Sequence, residues 1–286
     1  MGVATLATTL ESGGALVSTL RPAALAFDSI AAEFDSRFGA WRSVAAQRDA
    51  VRTVLLREFP AGGRILELGG GTGEDAAFLA EHGFRVLMTD ASAAMVSRAK
   101  AKLAPLGARA EICAAEEMED FAHRHFASGE SKFDGAFSNF APLNCVVDLA
   151  PVARGLARLL KPGAAAMLVL FGTCCPGEIV TEVLRGRSKS ALRRFRHGES
   201  PARLANQRFN VVYHRRASLE RAFAPWFVLE KRFGIGIAVP PSAAEPRITQ
   251  QPRLLAMMET FDKLFSRPFA ILGDHILYQF RRNNVE

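Results

Sequence analysis

The sequence predicts an α/β protein with a doubly wound, mostly parallel sheet. Between residues 64 and 171, apolar runs of strand length alternate with longer stretches of helical periodicity. Strands and helices that alternate in this way form parallel sheets through right-handed crossovers. The stretch "RILELGGGTGED" (64–75) is a second observation, because it places a glycine cluster between the first strand of the series and its first helix. Such sheets bind ligands at the carboxyl ends of their strands, so this turn is the predicted site.

Two helices are predicted before the alternating series. The first covers residues 28–38, where four apolar residues recur at helical spacing. The second covers 43–59 and ends because Pro60 cannot continue a helix. The four apolar residues at helical spacing are Phe27, Ile30, Phe34 and Phe38.

The alternating series starts at the glycine cluster. Ser92 is the predicted N-cap of its second helix, and Pro105 and Gly107 lie beyond the end of that helix. The predicted elements are strand 64–68, helix 75–82, strand 84–89, helix 92–103, strand 109–113, strand 133–138, helix 147–160 and strand 165–171.

The alternation breaks after Phe171. A basic, helical insertion is predicted over 173–208. The elements predicted after it are strand 209–213, helix 218–223, strand 227–237, a proline-punctuated loop, helix 253–266 and a last strand over 275–281.

Length and composition limit the class of protein. The 286 residues are 49% hydrophobic and 23% charged, which is typical of a globular enzyme with a sizeable core. We expect residues 1–22 to be disordered and residues 23–286 to form one domain. The longest apolar run, near residues 164–171, is far shorter than the roughly 20 residues a bilayer requires, and no secretory signal is present, so we expect a cytoplasmic protein. The four cysteines lack the spacing of a metal site or a disulfide framework, and we expect no metal.

The glycine cluster is compatible with two classes of cofactor site. Glu67 followed by glycines at 69, 71 and 73 satisfies the acid and G-x-G-x-G pattern of methyltransferases. The dinucleotide pattern G-x-G-x-x-G/A fails from Gly69, because Glu74 stands at its third small position, but it passes loosely from Gly71. Neither pattern decides alone.

A carboxylate on the next strand narrows the ligand. Asp90 ends the second predicted strand 21 residues after Gly69, where a carboxylate accepts both ribose hydroxyls. This predicts an adenosine-bearing ligand. Glu74 and Asp75, in the first turn of the following helix, would repel a pyrophosphate, which argues against NAD.

At this point the chain resembles the class I S-adenosylmethionine-dependent methyltransferases, over roughly residues 27–171 and the closing strands. The resemblance implies a seven-stranded, mostly parallel sheet with an antiparallel last strand, and S-adenosyl-L-methionine as cofactor. It also implies helical substrate-covering insertions, which makes the insertion 173–208 the expected lid over the substrate. The segments that carry it are "AFDSIAAEFDSRF", "ILELGGGTG", "VLMTDASAAMVSRAKAKL", "FDGAFSNFAPLN", "LARLLKPGAAAMLVLF" and "LGDHILYQFRR".

The resemblance also implies a set of cofactor ligands. Ala114 stands where the family often places an acid for the adenine, so Glu116, the Ala115 backbone or a water would replace that contact. The family's N-P-P-Y tetrad for DNA amino groups is absent. The implied ligands are Glu67, Gly69, Gly70, Gly71 and Gly73 at the methionine end, Asp90 and Ala91 at the ribose, Ala115 and Glu116 at the adenine, and Asn139 and Phe140, with Ser138 before them, at the methyl group.

The candidates for a general base are His214, beside Tyr213, and His275, beside Asp274. Methyl transfer depends mainly on alignment, and a base is required only where the acceptor must lose a proton. Structural histidines are the alternative reading for both residues.

The acceptor is expected to be a small or lipid-like molecule. The basic segment 185–197 suggests an anionic or membrane-surface contact, although a solvated helix face is the alternative. Aromatic residues for base stacking are sparse there, which disfavours nucleic acid. An RNA-modifying methyltransferase that uses this segment as its grip is the second hypothesis, and a non-catalytic cofactor-binding regulator is the third. The cations of the segment are Arg185, Arg187, Lys189, Arg193, Arg194 and Arg196.

Overall fold

The computed structural model describes residues 21–187, 191–195, 198–242 and 245–284. The prediction of disorder at residues 1–22 falls almost entirely outside these ranges. Lys189 and Arg196 of the basic segment also lie outside them. The strands are β1 (Arg64–Leu68), β2 (Arg85–Asp90), β3 (Arg109–Ile112), β4 (Phe133–Ser138), β5 (Leu160–Phe171), β6 (Glu199–Leu204), β7 (Gln207–Val212), β8 (Phe227–Ile235) and β9 (His275–Arg282).

The described helices surround these strands. They are α1 (Pro22–Asp28), α2 (Phe34–Phe38), α3 (Arg42–Glu58), α4 (Glu74–Glu81), α5 (Ala93–Leu103), α6 (Met118–Ala127), α7 (Ala150–Leu159), α8 (Pro176–Leu184), α9 (Arg216–Phe223), α10 (Glu245–Ile248) and α11 (Pro252–Phe265). The predicted N-cap of α5 is confirmed, since the Met95 amide donates to Ser92 Oγ at 3.1 Å.

Seven strands form one sheet in the order β3-β2-β1-β4-β5-β9-β8. Neighbours from β3 through β5 are parallel, and β9 runs antiparallel to both β5 and β8. The predicted fold class is therefore confirmed. Strand order reverses between β1 and β4, so a crevice opens at the carboxyl ends of these two strands.

Both faces of the sheet are buried. Leu66 and Leu68 pack on one side with apolar residues of α6 and α7, while Ile65 packs on the other with residues of α3, α4 and α5. This explains why β1 reads as a nearly continuous apolar run and not as an alternating one. No helix among the described residues is long and apolar enough to cross a membrane.

The structure departs from the prediction most clearly at three elements. The helix predicted over 28–38 is two helices, α1 and α2, and α1 starts earlier because Pro22 is suited to a first helical turn. Helix α6 was absent from the prediction, since charged and histidine residues interrupt its apolar positions. The prediction of a wholly helical insertion is wrong, because after α8 the chain forms the antiparallel hairpin β6–β7.

The hairpin covers the N-terminal helices. Its two-residue turn places Ala205 and Asn206 at φ of 45° and 67°, as a type I′ turn requires. Phe209 of β7 lies against Phe27 of α1, with ring centroids 6.3 Å apart. Helix α1 in turn reaches α5, because Asp28 Oδ1 accepts hydrogen bonds from Ser92 Oγ at 2.5 Å and from the Ala94 amide at 3.0 Å.

Candidate functional site

The turn between β1 and α4 brings the main chain close to an acidic side chain. Gly69, Gly71 and Gly73 have φ of 67°, 58° and 80°, which L side chains rarely adopt. A Cβ at Gly70 would lie 2.7 Å from the carboxyl group of Glu67. The glycines therefore permit the turn to lie directly against that carboxyl group.

Asp90 links the glycine turn to the next one. Its Oδ2 accepts a hydrogen bond of 2.9 Å from the Gly71 amide, and its Oδ1 accepts one of 2.8 Å from the Ser92 amide. Burial raises the pKa of Asp90, while the hydrogen bonds from Ser92 and Gly71 oppose that shift. The Ala91 amide opposes the shift as well. A carboxylate has about four acceptor positions, so these backbone amides leave acceptor capacity for a ligand hydroxyl.

Glu67 carries an unsatisfied acceptor. The residue is 1% exposed, and its Oε2 has no hydrogen-bond partner among the described residues. Burial raises the pKa of Glu67 well above its usual range, and the negative charge of Asp75 raises it further. The positive charge of Arg48 opposes this shift only in part. A buried polar atom without a partner is costly, so a donor supplied by a ligand would relieve a real penalty.

A polar network joins the first helix of the series to the end of β4. Asp75 Oδ1 accepts a hydrogen bond of 2.7 Å from Arg52 Nε, and Asp75 Oδ2 accepts one of 2.8 Å from Asn139 Nδ2. Asn139 Oδ1 accepts in turn from the Phe140 amide at 2.8 Å. The network fixes the backbone after β4, where Phe140 and Ala141 have positive φ of 56° and 65°.

A cation lies beside this network. The guanidinium carbon of Arg48 is 5.0 Å from the ring centroid of Phe140, within the range of a cation–π contact. Arg48 Nε is 3.6 Å from Asp75 Oδ1 and is buried without a hydrogen-bond partner among the described residues. Arg48 thus carries a donor without a partner, and Glu67 carries an acceptor without one. The two belong to one electrostatic network, because the charge of Arg48 acts on the pKa of Glu67.

The predicted adenine contacts lie after β3. Ala115 and Glu116 begin a short 3-10 turn, Ala115–Glu117, in which Glu117 binds Arg21 Nη2 at 2.7 Å. Burial raises the pKa of the Cys145 thiol to about 11, and the nearby charges of Glu116 and Asp90 add to that shift. Glu116 is thus close enough to the Asp90 side of the crevice to influence the same thiol.

The combined site suits a nucleoside that carries an amino acid. Glu67 offers an acceptor to an ammonium group, and Asp90 offers acceptors to ribose hydroxyls. Two surface clefts, of about 250 and 310 Å³, contain none of the predicted cofactor ligands.

Comparison with known families decides the class. Residues 65–163, from β1 into β5, match a family described as "Methyltransferase domain". Residues 65–163 therefore form a methyltransferase domain, and the chain is similar to the class I S-adenosylmethionine-dependent methyltransferases. S-adenosylmethionine is the cofactor of these methyltransferases, and the unpaired Glu67 acceptor and the Asp90 carboxylate fit its ammonium group and its ribose.

Individual relatives support the family and the fold. The tRNA 5-carboxymethoxyuridine methyltransferase of Escherichia coli (strain K12) is 30% identical over 154 residues, which are 51% of this chain and 56% of that relative. The chain thus spans just over half the length of the curated relatives it matches. The CcbJ methyltransferase from Streptomyces caelestis has a TM-score of 0.57 at 16% identity, with 90% of this chain and 98% of that chain covered. A TehB-like methyltransferase from Corynebacterium glutamicum has a TM-score of 0.53 at 16% identity, with 89% and 99% covered. These two structures show a shared fold.

The two candidate bases, His214 and His275, differ in their surroundings. The His275 ring lies edge-on to Phe140, with centroids 5.8 Å apart, and its Nδ1 is 3.3 Å from Asp274 Oδ2. His214 Nε2 lies 2.9 Å from the Val146 carbonyl oxygen, and burial lowers the pKa of His214 although its backbone contacts oppose this. The structure therefore brings His275, and not His214, against the residue predicted to face the methyl group.

The described arginines of the basic insertion are largely paired within the chain. Arg187 Nη2 lies 2.7 Å from Glu182 Oε1, and Arg193 Nε lies 2.7 Å from Glu178 Oε1. Arg194 is buried and binds Glu178 and Asp274. Glu178 and Glu182 on α8, and Asp274 just before β9, therefore reduce the positive charge that the insertion can present to a substrate.

Sequence reasoning missed Arg48, Arg52 and Arg194 as parts of the site. Arg48 and Arg52 are four residues apart on α3, so they share one helix face. That spacing was a usable signal, because the same helix face also carries buried apolar residues. Arg194 lies 80 residues from Asp274 in sequence and offered no local signal.

Proposed function

We propose that this protein transfers the methyl group of S-adenosylmethionine to an oxygen atom of a small or lipid-like acceptor, with His275 as the general base. The observation that carries the proposal is the position of His275, between the Phe140 ring at the end of β4 and the carboxylate of Asp274. A histidine backed by a carboxylate can hold a proton on Nδ1 and accept one at Nε2.

The remaining residues bind and orient. Glu67 accepts from the ammonium group of the cofactor, and Asp90 accepts from its ribose. S-adenosylmethionine supplies a methyl group on a positively charged sulfur, which is already activated for displacement. Phe140 offers a ring face to that positive charge. The rings of Phe140 and Phe171 both contact the His275 ring and exclude water from the base. His275 Nε2 then removes the proton of an acceptor hydroxyl.

The chemistry of the insertion supports a small or lipid-like acceptor. Its arginines are engaged with Glu178 and Glu182, and four of its apolar residues are exposed. An apolar surface next to a paired cationic one suits an acceptor with a hydrocarbon part better than a phosphate backbone. The exposed residues are Val180 at 57%, Val183 at 55%, Leu192 at 57% and Phe195 at 45%.

Calorimetry and radiolabel transfer together test this function. S-adenosylhomocysteine should bind, and NAD should not. With [methyl-³H]-S-adenosylmethionine and deproteinised cell extract, label should enter an organic-extractable fraction. His275→Gln should retain S-adenosylhomocysteine affinity but lose about 10²- to 10⁴-fold in transfer rate.

His214→Gln is the matched control for that experiment, because it removes a buried histidine of the same region. It should lower stability by about 1 to 3 kcal/mol through the lost bond to Val146, while the remaining folded protein retains its transfer rate. Methyl transfer at the wild-type rate by His275→Gln would show that His275 is not the general base. Cofactor binding without transfer into any fraction would favour the non-catalytic regulator.

RNA modification is the second candidate, and one observation favours it. The Escherichia coli relative, 30% identical over 154 residues, is named as a tRNA methyltransferase. If RNA is the acceptor, label should enter bulk tRNA, and binding should weaken steeply with salt as phosphate contacts are lost. Absence of both label and binding at low salt would contradict this candidate.

A further inference from the structure

Arg194 is the buried cation that joins the insertion to the sheet. Its side chain is 6% exposed. Nε donates a hydrogen bond of 2.7 Å to Glu178 Oε2, and Nη2 also binds Glu178. Nη1 donates to the carbonyl oxygens of Gly172, at 3.1 Å, and Asp274, at 2.7 Å. One guanidinium group thus connects α8, the end of β5 and the residue before β9.

The same guanidinium determines how Asp274 is used. Arg194 Nη2 donates a hydrogen bond of 2.6 Å to Asp274 Oδ1, while Oδ2 lies 3.3 Å from His275 Nδ1, an ion-pair distance without hydrogen-bond alignment. No other group among the described residues binds Nδ1, so the charge of Oδ2 is what favours a proton there. Burial acts to raise the pKa of Asp274, but His275 and Arg194 outweigh it and hold the pKa well below its usual range. Asp274 therefore stays ionised, with one oxygen for the arginine and the other for the histidine.

Aromatic rings restrict the movement of both groups. The guanidinium carbon of Arg194 lies 5.4 Å from the Phe171 ring centroid and 6.0 Å from that of Tyr213. The Phe171 ring also packs on His275, with centroids 5.0 Å apart. Because Phe171 contacts both side chains, a displaced Arg194 disturbs the packing of the imidazole as well as its carboxylate partner.

The cluster resembles a metal site only in composition. Ligand atoms of Cys175, Glu178 and Asp274 lie within 4.8 Å of one another. Arg194 donates to both carboxylates, however, so the positive charge that such a cluster requires comes from the chain itself.

We propose that Arg194 is a positioning residue for His275. By fixing Asp274 Oδ1, it keeps Oδ2 directed at Nδ1, which selects the imidazole tautomer with a proton on Nδ1 and a free lone pair on Nε2. The base is then competent only while the insertion is docked on the sheet, because Arg194 belongs to the insertion and Asp274 to the sheet. This inference rests on the proposed function, in which His275 Nε2 accepts the proton of the acceptor.

The test measures the tautomer and requires no acceptor molecule. In protein labelled with ¹⁵N-histidine, two-bond ¹H–¹⁵N correlation spectra distinguish the Nδ1–H and Nε2–H forms, and His275→Gln assigns the signal. Wild-type protein at a pH where the imidazole is neutral should show the Nδ1–H form. Arg194→Met should lower the ratio of the Nδ1–H to the Nε2–H form by about five- to tenfold, as expected for the loss of one ordered contact.

Two further variants make the result specific. Arg193→Met removes the neighbouring arginine, which pairs with Glu178 but not with Asp274, and should leave the tautomer ratio unchanged. Arg194→Lys keeps the charge, but one nitrogen with three donors cannot replace the bonds that three guanidinium nitrogens make to Glu178, to two carbonyl oxygens and to Asp274 Oδ1, so it should give an intermediate ratio. If Arg194→Met does not fold, the tautomer ratio of Arg194→Lys is the test: an intermediate ratio supports the inference, and a wild-type ratio contradicts it.

Several outcomes would overturn the inference. These are an Nε2–H form in wild-type protein, an unchanged ratio in folded Arg194→Met, or a wild-type ratio in Arg194→Lys. Failure of the proposed function is distinguishable, because it would appear as full methyl transfer by His275→Gln or as absent S-adenosylhomocysteine binding, whatever the tautomer of His275.

Discussion

The side-chain amide of Asn139 donates a hydrogen bond of 2.8 Å to Asp75 Oδ2, so the residue after β4 is tied to the first turn of α4. Both residues are buried. The bond connects the two loops that form the crevice at the carboxyl ends of β1 and β4, and its loss would loosen both.

Asn139→Ala should therefore destabilise the protein and weaken cofactor binding. The lost bond leaves Asp75 Oδ2 buried without that donor, which costs about 1 to 3 kcal/mol in the free energy of unfolding. Asn139→Asp should cost more, because it places a second carboxylate against Asp75. Chemical denaturation measures both, and Asn210→Ala, which removes an exposed asparagine of β7, is the control. Equal stability of all three variants would contradict the assignment.

Because Glu67 is buried, the free energy of unfolding is expected to depend on pH. Burial, reinforced by the negative charge of Asp75, raises the pKa of Glu67 well above its usual range. The folded state thus favours the protonated form, so the stability linked to Glu67 is complete at acidic pH and is lost as pH rises from about 4.5 through the folded-state pKa.

Glu67→Gln should consequently gain stability relative to wild type as pH rises from 5 to 8, by about 1 to 3 kcal/mol at the upper end. The same variant should bind S-adenosylhomocysteine more weakly, because the ammonium group loses a charged acceptor. Urea denaturation across this pH range measures the first effect. Glu111→Gln, on the exposed side of β3, should show neither effect, and parallel pH profiles for wild type and Glu67→Gln would refute the prediction.

Asp90 is expected to determine the affinity for the nucleoside. Asp90→Ala should weaken S-adenosylhomocysteine binding by about 1.5 to 3 kcal/mol, which is roughly 10- to 100-fold, through the loss of charge-assisted bonds to ribose. Titration calorimetry measures the change. Asp49→Ala, on the exposed face of α3, should bind as wild type does. Unchanged affinity in folded Asp90→Ala would place the ribose elsewhere.

A polar contact holds α2 over the glycine turn. Asp35 accepts hydrogen bonds from Thr72 Oγ1 at 2.5 Å and from Lys102 Nζ at 2.9 Å. Burial acts to raise the pKa of Asp35, but the bonds from Thr72 and Lys102 outweigh it and lower the pKa. The stabilisation is therefore present above the unfolded-state pKa and is lost as pH falls through the folded-state value.

Asp35→Ala should speed the release of S-adenosylhomocysteine by about two- to fivefold. The effect is small because the Asp35 side chain is 41% exposed and water screens its charges. The difference from wild type should shrink at high salt. Stopped-flow release measures the rate, with Glu33→Ala on the same segment as the control. A release rate equal to that of wild type would mean that α2 does not retain the cofactor.

The strands that form the crevice could be predicted because each is encoded locally. Strand β1 was predicted at its observed bounds, since an apolar run buried on both faces ends abruptly at Gly69. Asp90 was predicted for the same reason, as the acid at the end of the next apolar run. Strand β7 was predicted in part, as 209–213, but β6 and the hairpin were not. The turn residues, Ala205 and Asn206, lack the glycine that usually indicates a type I′ turn.

Long-range polar contacts account for what the sequence did not reveal. Arg194 seemed to be one cation of an exposed basic segment, yet it is buried against Asp274, 80 residues away. The role of Asp75 was also incomplete, since its partners come from α3 and from the end of β4. Pair contacts of this kind depend on how distant segments pack, and no local period or spacing encodes them.

The position of β9 in the sheet has a consequence for folding during synthesis. This strand lies between β5 and β8, although β8 precedes it in the chain. While a ribosome synthesises the intervening segments, the β5 side of the nascent sheet presents unpaired backbone groups that can bind other chains. The cofactor crevice between β1 and β4 can form before that time, so the nascent protein can acquire its ligand while the strand that brings His275 is still missing. We expect chaperone dependence during synthesis to end when β9 inserts.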